Sequence, residues 1–349
     1  MRIKPNAISL YDNSLWCVCQ IAQALIRVDI GTGDIEEWIG LPFILDKGSE
    51  EYAVVHAYDN GVLVVPNVDS VLYVYYPERR EWEEIKFEKI GNGRQLFSCS
   101  YRNGDSIYLF PGSSDNVVVF NTISKDVTIR IKLLSELNAC MNTDIKVLNP
   151  VCVVDSKVIG VTSLNNIVFI YDLQNENIET KKIGKEGSQY SSCISFSDEV
   201  ILYDKTNCSL LLLDKNMEVI KEMKIPTGGY RVLKYSDDYL IVDSLYGNTI
   251  FIIDKYVEEC IEAKKSEEAL NGNSNVLGVM LYDEKKTYYY NKIDNSLYSI
   301  NEGRLIKIME IPHLNDDIKK NILNTRSRKL RVENYAYNLS DFVSLLSID

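Results

Sequence analysis

The chain has 349 residues, 46% hydrophobic and 25% charged, with a formal net charge of -12. That composition is enough for a buried core, and the acidic balance argues against general binding to nucleic acid or to an anionic membrane. No apolar run approaches the roughly 18 residues of a spanning helix, and the opening MRIKPNAISLYDNSLW lacks the apolar core of a secretory leader, so a cytoplasmic protein with reduced cysteines is expected.

Read from the N-terminus, one pattern returns seven times: apolar strand, polar turn, strand. It runs QALIRVDIGTGDIEEW from Gln23, SVLYVYYPERREWEEIKF from Ser70, NVVVFNTISKDVTIRI from Asn116 and NIVFIYDLQNENIETKKI from Asn166. SLLLLDKNMEVIKEMKI from Ser209, NTIFIIDKYVEECIEAKK from Asn248 and SLYSINEGRLIKIMEI from Ser296 complete the set. The turns open at Asp29, Tyr76, Asn121, Asp172, Asp214, Asp254 and Asn301, mostly residues whose side chains bond to the backbone of a tight turn. An earlier turn precedes each hairpin, marked by Asp12, Asp59, Arg102, Asp155, Asp198, Asp237 and Asp283. From each marker to its later turn is 16 to 19 residues, whereas the connections between units vary from 23 to 34.

Each unit therefore reads as strand A, tight turn, strand B, loop, strand C, tight turn, strand D. A lone four-stranded sheet of this size cannot cover both faces, and radial stacking does so. The expectation is an all-β protein: a seven-bladed β-propeller of four-stranded antiparallel blades over residues 1–312. The first and last blades read as drawing all their strands from contiguous sequence, which leaves packing between blades 1 and 7 as one way to close the ring; how the ring closes is not legible in the sequence. Residues 313–349 lose the pattern and form an extension that is expected to dock on the propeller. NLSDFVSLLSID at its end predicts a short helix capped by Asn338 or Ser340. The basic run KKNILNTRSRKLR (319–331) is expected to pair with the acidic propeller or stay solvated.

VLYVYYPERREWEEI, from Val71, resembles the strand C to strand D hairpin of a kelch blade, down to the Pro after the turn opening and a Trp that packs between blades. YLIVDSLYGNTIFIIDKYVEECIE, from Tyr239, is similar to YVTN- or NHL-type blades. Trp38 and Trp82 match the kelch Trp position, while Val127 and Ile178 replace it later, and the kelch double glycine after strand B is absent. The resemblance implies a propeller and assigns no subfamily.

Catalytic signatures are sparse. The two histidines, His56 and His313, exclude a multi-histidine zinc site, and there is no GxSxG, Walker loop or GxGxxG. No metal and no cofactor is expected. His56 falls three residues before its turn marker, as do Ser9, Cys99, Cys152, Ser195, Lys234 and Met280. It reads as a hydrogen-bonded channel residue or, alternatively, a ligand-binding group. Asp69, Asp115, Asp204, Asp243 and Asp294 lie at or near B–C loops and are either turn formers or an acid–base pair. In a propeller the D–A and B–C connections share one face, and variable loops carry function. Tyr52, Arg94, Gln95, Tyr190, Tyr230 and Arg231 end the D–A segments and converge on the channel mouth, unless the tyrosines pack between blades. Aromatic faces with arginine forks suit a sugar ring or a carboxylate. The sequence thus predicts a non-catalytic scaffold that binds a protein, peptide or glycan, with a carbohydrate-active hydrolase or lyase as the alternative. No nucleic acid or membrane partner is expected, and the oligomeric state is not legible.

Overall fold

Strands B and C carry apolar residues at consecutive rather than alternate positions, as in LWCV (15–18), GVLVV (61–65) and SLLLL (209–213). A strand of that kind needs cover on both faces. A computed structural model supplies it and describes residues 5–312, apart from 20–21, 44–53, 67–69, 92–95, 113, 142–150, 162–164, 197, 226–229, 235–237, 245–248, 255, 259, 265–278, 284–285, 292–294 and 302–303. The predicted extension 313–349 lies outside the described residues. The described residues form 28 strands in seven antiparallel four-stranded meanders, the seven-bladed propeller expected from the repeats. The innermost strands A are Pro5–Tyr11, Val54–Tyr58, Phe97–Asn103, Cys152–Val154, Tyr190–Phe196, Tyr230–Lys234 and Val279–Asp283.

Seven apolar clusters fill the seven seams between adjacent blades. Strand parity assigns each residue to a seam. On strand B of blade 1 (Ser14–Cys19), Leu15, Cys17 and Cys19 face blade 7 while Trp16 and Val18 face blade 2. On strand B of blade 5 (Glu199–Asp204), Val200 and Leu202 face blade 4 while Ile201 and Tyr203 face blade 6. Closure follows the same rule. Blade 1 meets blade 7 through Cys17, Ile26, Tyr288, Tyr290 and Leu297, and no blade mixes strands from the two chain ends.

Five of the C–D turns share one design. Asp172 Oδ1 accepts the amides of Gln174 (2.8 Å) and Asn175 (3.0 Å), and Asn121 Oδ1 accepts those of Ile123 and Ser124 (both 2.9 Å). Asp29, Asp214 and Asp254 do the same with Thr32, Asn216 and Glu258. A left-handed residue then completes the turn: Lys125, Glu176, Met217 or Val257. Backbone amides hold the Asp29, Asp172 and Asp214 carboxyls below the ordinary range.

Two features depart from expectation. The 22-residue connection from Ile129 of blade 3 to Cys152 of blade 4 contains a helix, α1 (Leu133–Met141), whose Leu133, Leu134 and Leu137 enter the seam between those blades. The run reads as loop from strand patterning because its apolar residues follow a helical period. In blade 3, strand A continues to Asn103, and the hairpin closes on the Asn103–Ser106 pair, so Arg102 belongs to the strand. Among the described residues no helix is long and apolar enough to cross a membrane.

Gly160, on strand B of blade 4 (Lys157–Val161), pairs with Phe169. A Cβ there would lie 2.2 Å from Phe169 Cζ and 3.0 Å from Val151 Cγ1, and the Phe169 ring is fully buried between blades 3 and 4. The variant Gly160→Ala is therefore expected to lose about 1–3 kcal/mol in urea unfolding, with partial recovery in the double variant carrying Phe169→Leu. An unchanged midpoint would mean that the ring does not rest on the glycine.

Candidate functional site

The strands A of neighbouring blades meet edge to edge around the channel, and side-chain hydroxyls satisfy groups that a sheet ladder would otherwise use. Ser9 Oγ of blade 1 accepts the Ala57 amide of blade 2 at 2.9 Å. Arg102 of blade 3 donates to the Gly104 carbonyl at 3.2 Å and to the Ala57 carbonyl of blade 2 at 3.5 Å. Ser192 Oγ of blade 5 accepts the Val232 amide of blade 6 at 3.5 Å. His56 Nε2 and Ser100 Oγ, 2.7 Å apart, join blades 2 and 3. Protonated, that nitrogen donates to the hydroxyl; bare, it accepts from it. Burial lowers the imidazole pKa to about 4, with a further contribution from the Arg102 guanidinium. His56 is thus neutral near pH 7 and serves as a dipolar link rather than a charge.

The ladder registers realign the positions equivalent to His56. His56 sits two residues before the closing pair Tyr58–Gly61. Its counterparts are Ser9, Tyr101, Cys152, Ile194 and Leu281, two before Tyr11, Asn103, Val154, Phe196 and Asp283. Cys99, Ser195 and Met280 drop out because the Asp or Arg taken as marker occupies a different place in each turn.

Tyr190 opens strand A of blade 5, fully buried, and its hydroxyl donates to the Ile183 carbonyl at 2.6 Å. Burial, then the nearby Asp204 carboxylate, push the phenol up to about 12. It packs in the seam between blades 4 and 5, the alternative open for these tyrosines. Tyr230 and Arg231 open strand A of blade 6, paired with Ser244 and Asp243, and their side chains lie outside the described residues, as do Tyr52, Arg94 and Gln95 entirely. His56 and Tyr190 stand three blades apart, so the structure does not bring these two together.

Asp69 and Asp294 also lie outside the described residues. The other three B–C carboxylates sit on different blades, each bonded within the scaffold. Asp115 accepts the Ser135 amide (2.7 Å) and hydroxyl (2.5 Å), capping α1 from the blade-3 loop. Asp204 accepts the amides of Thr206 and Asn207, both at 3.0 Å, and the Asn207 side chain at 2.7 Å. Burial raises its pKa, but the hydrogen bonds from Asn207, Ser188 and Thr206 outweigh that and hold it below the ordinary range. Asp243 accepts the Tyr289 hydroxyl at 2.9 Å across blades 6 and 7. Ser9 was legible as an inner-strand equivalent of His56, and Arg102 was read as a turn marker; Ser100 and Ser192 were not singled out, although the runs FSCSYR and YSSCIS on equivalent strands carry the signal.

No protein-family model matches the chain, and no curated protein matches it. Solved structures do. Virginiamycin B lyase from Staphylococcus aureus aligns at TM-score 0.61 and 12% identity, over 84% of this chain and 95% of the lyase. PorZ, a surface component of the type-IX secretion system of Porphyromonas gingivalis, aligns at 0.63 and 11% over 90% of this chain and 39% of PorZ. BamB from Moraxella catarrhalis aligns at 0.51 and 11% over 83% and 80%. At such identities the likeness is one of fold alone.

The neutral state of His56 sets a pH dependence. Its pKa is about 4 in the folded chain against 6.5 ordinarily, so the unfolded chain binds more protons between those values and stability falls as pH drops through that window. In urea unfolding between pH 6.5 and 5, above the ordinary carboxylate range, His56→Gln is expected to flatten the slope of stability against pH. An equal slope in both proteins would show that the ring is protonated in place. Tyr190→Phe, which removes one buried hydrogen bond, is expected to cost about 1 kcal/mol.

Proposed function

We propose that this propeller is a non-catalytic scaffold that binds a protein, peptide or glycan on the face of its D–A and B–C connections. The observation that supports this most directly is the division between the two faces. The face of the A–B and C–D turns is built from tight, repeated turns whose Asx carboxylates and amides are spent on the backbone. The opposite face takes most of the length variation, with D–A connections from 5 residues between Lys224 and Tyr230 to 22 between Ile129 and Cys152. A rigid ring that presents variable loops binds by preorganisation, since little ordering entropy remains to be lost. Tyr52, Arg94, Gln95, Tyr230 and Arg231 are the groups proposed to meet the ligand at the channel mouth, with His56 deeper in the wall. Aromatic faces and guanidinium forks match sugar rings and peptide carboxylates.

A hydrolase or lyase acting on carbohydrate is the second reading. Its support is the fold shared with a lyase at 12% identity. The structural bonding of Asp115, Asp204 and Asp243 weighs against it, because a catalytic pair needs two carboxyl groups converging on one pocket.

A thermal-shift screen of glycans, peptides and small organic acids, followed by titration of the hits, tests the scaffold. Arg231→Ala and Arg94→Ala are each expected to weaken a hit at least about tenfold, equivalent to about 1.4 kcal/mol. Ile123→Ser, at an exposed position on the turn face, is expected to leave it unchanged. A hit that survives both arginine changes places the site elsewhere, and a hit consumed to new products on chromatography replaces the scaffold with the enzyme.

A further inference from the structure

Three cysteines lie on three consecutive innermost strands: Cys99 in blade 3, Cys152 in blade 4 and Cys193 in blade 5. Cys152 and Cys193 are buried in one seam, 8% and 3% exposed, among Ile159, Val161 and Leu202. The Cys152 thiol hydrogen-bonds to the Cys193 sulfur, and Cys193 Sγ lies 3.2 Å from the Ile159 carbonyl, the residue opposite Cys152 in the blade-4 ladder. Two sulfurs in contact across an otherwise non-covalent seam, 41 positions apart in sequence, are placed to react with each other. Cys17 and Cys19, two apart on one strand, are not, since that spacing is awkward for a disulfide. Among the described residues no group of three His, Cys, Asp or Glu is placed to hold a metal ion.

We propose that Cys152 and Cys193 are an oxidisable dithiol that closes into a disulfide between blades 4 and 5, with a hydroperoxide as the oxidant. The small oxidant follows from the setting, because a bulky disulfide does not fit between two packed strands. The Cys152 thiolate, the more exposed of the two, attacks one oxygen of hydrogen peroxide; the O–O bond breaks, giving a sulfenic acid and a hydroxide that takes up the proton the Cys152 thiol released and leaves as one water. Cys193 then attacks the Cys152 sulfur, the S–S bond forms, the S–O bond breaks and the hydroxide leaves with the Cys193 proton as a second water. Two electrons and two protons pass from the thiol pair to the peroxide. The hydrogen bond to Cys193, then burial, hold the Cys152 thiol well above the ordinary range, so the reaction is slow at neutral pH and accelerates as thiolate forms. The product is a staple across one seam that a reducing compartment leaves open and an oxidising one closes.

The test uses the full chain, reduced, desalted and treated under native conditions with hydrogen peroxide, then quenched with acid and alkylated. Trypsin places Cys152 in 147–157 and Cys193 in 186–205, each with a single cysteine. Mass spectrometry is expected to find these two peptides joined, separable by dithiothreitol, in native protein but scrambled with the other cysteines when oxidation is done in urea. The linked yield is expected to rise roughly tenfold per pH unit between pH 7 and 9. The thermal midpoint should rise by several degrees and fall back on reduction. Cys99→Ser is expected to retain the link and Cys193→Ser to lose it, leaving sulfenic or sulfinic acid on Cys152. Cross-linking through Cys99, or over-oxidation of Cys152 without a linked peptide in the native wild-type chain, overturns the proposal, and the wild-type map decides this even if a serine variant does not fold.

Discussion

Two-sided burial of strands B and C is the constraint on which the rest of the molecule depends. Each blade has two apolar faces, and among the described residues no layer of helices covers them, so the partner of every blade is another blade. Burying one Val, Leu or Ile is worth about 1.5–3 kcal/mol, and each seam gathers such residues from two adjacent sheets. The same condition holds at the ends of the chain. Leu10, Cys17 and Ile26 of blade 1 would face water if Tyr290, Leu297 and Ile311 were not against them, so the ring closes by the force that builds its other seams, with no strand exchanged between first and last blades. A disulfide across any single seam would therefore be an addition to the fold rather than its foundation.

Charge repeats along the ring in a way that packing does not require. A cation near the end of one blade meets an acid in the C–D turn of the next: Arg130 with Glu176 at 2.6 Å, Lys181 with Glu218 at 2.5 Å and Lys221 with Glu258 at 2.9 Å. Between blades 1 and 2 the signs reverse, with Glu37 accepting from Arg80 at 3.4 Å and from the Tyr75 hydroxyl. Pairs as exposed as these add little stability. Their value lies in register, since a slipped or inverted blade would set like charges against each other. Between blades 2 and 3 the same place is taken by Lys125, which lies 4.9 Å from the Tyr58 ring and donates to the Tyr58 hydroxyl. The C–D turn of one blade thus reaches the preceding blade in each of these seams, at strand D in most and at the end of strand A in this one.

Fold and site were legible to different depths for identifiable reasons. Short apolar strands and Asx turns are local signals, written within a few residues, and they located Asp29, Asn121, Asp172, Asp214 and Asp254 at the turns where the structure has them. Trp82 packs toward blade 1 and donates to the Gly40 carbonyl at 3.1 Å. The helix α1 was missed because LLSELNACM sits inside a connection, where strand counting does not look for a period of 3.6. The counterparts of His56 were shifted because a turn marker is uncertain by one or two residues, and a shift of one residue exchanges the two faces of a strand. Which polar groups meet across the channel is a long-range fact: the link from His56 to Ser100 spans 44 positions and leaves no local trace.

The channel wall bears on where chemistry can reside in such a ring. Seven inner strands meeting edge to edge bring amides and carbonyls together without the alignment of a continuous ladder, and a buried amide left unpaired costs more than a hydrogen bond returns. Serine hydroxyls, a neutral imidazole and a thiol fill most of these places because they are small and uncharged, and they pair without the desolvation cost of an ion; Arg102, partly exposed beside the A–B turn of blade 3, is the charged exception. Substituting a charged catalytic group on these strands would remove a bond that joins two blades. The connections carry no such obligation, because their ends are held by the strands and their middles can change length without opening a seam. Selection for recognition can act there while the wall stays committed to the fold, which is why the variable face rather than the channel is the stronger place to look for a ligand.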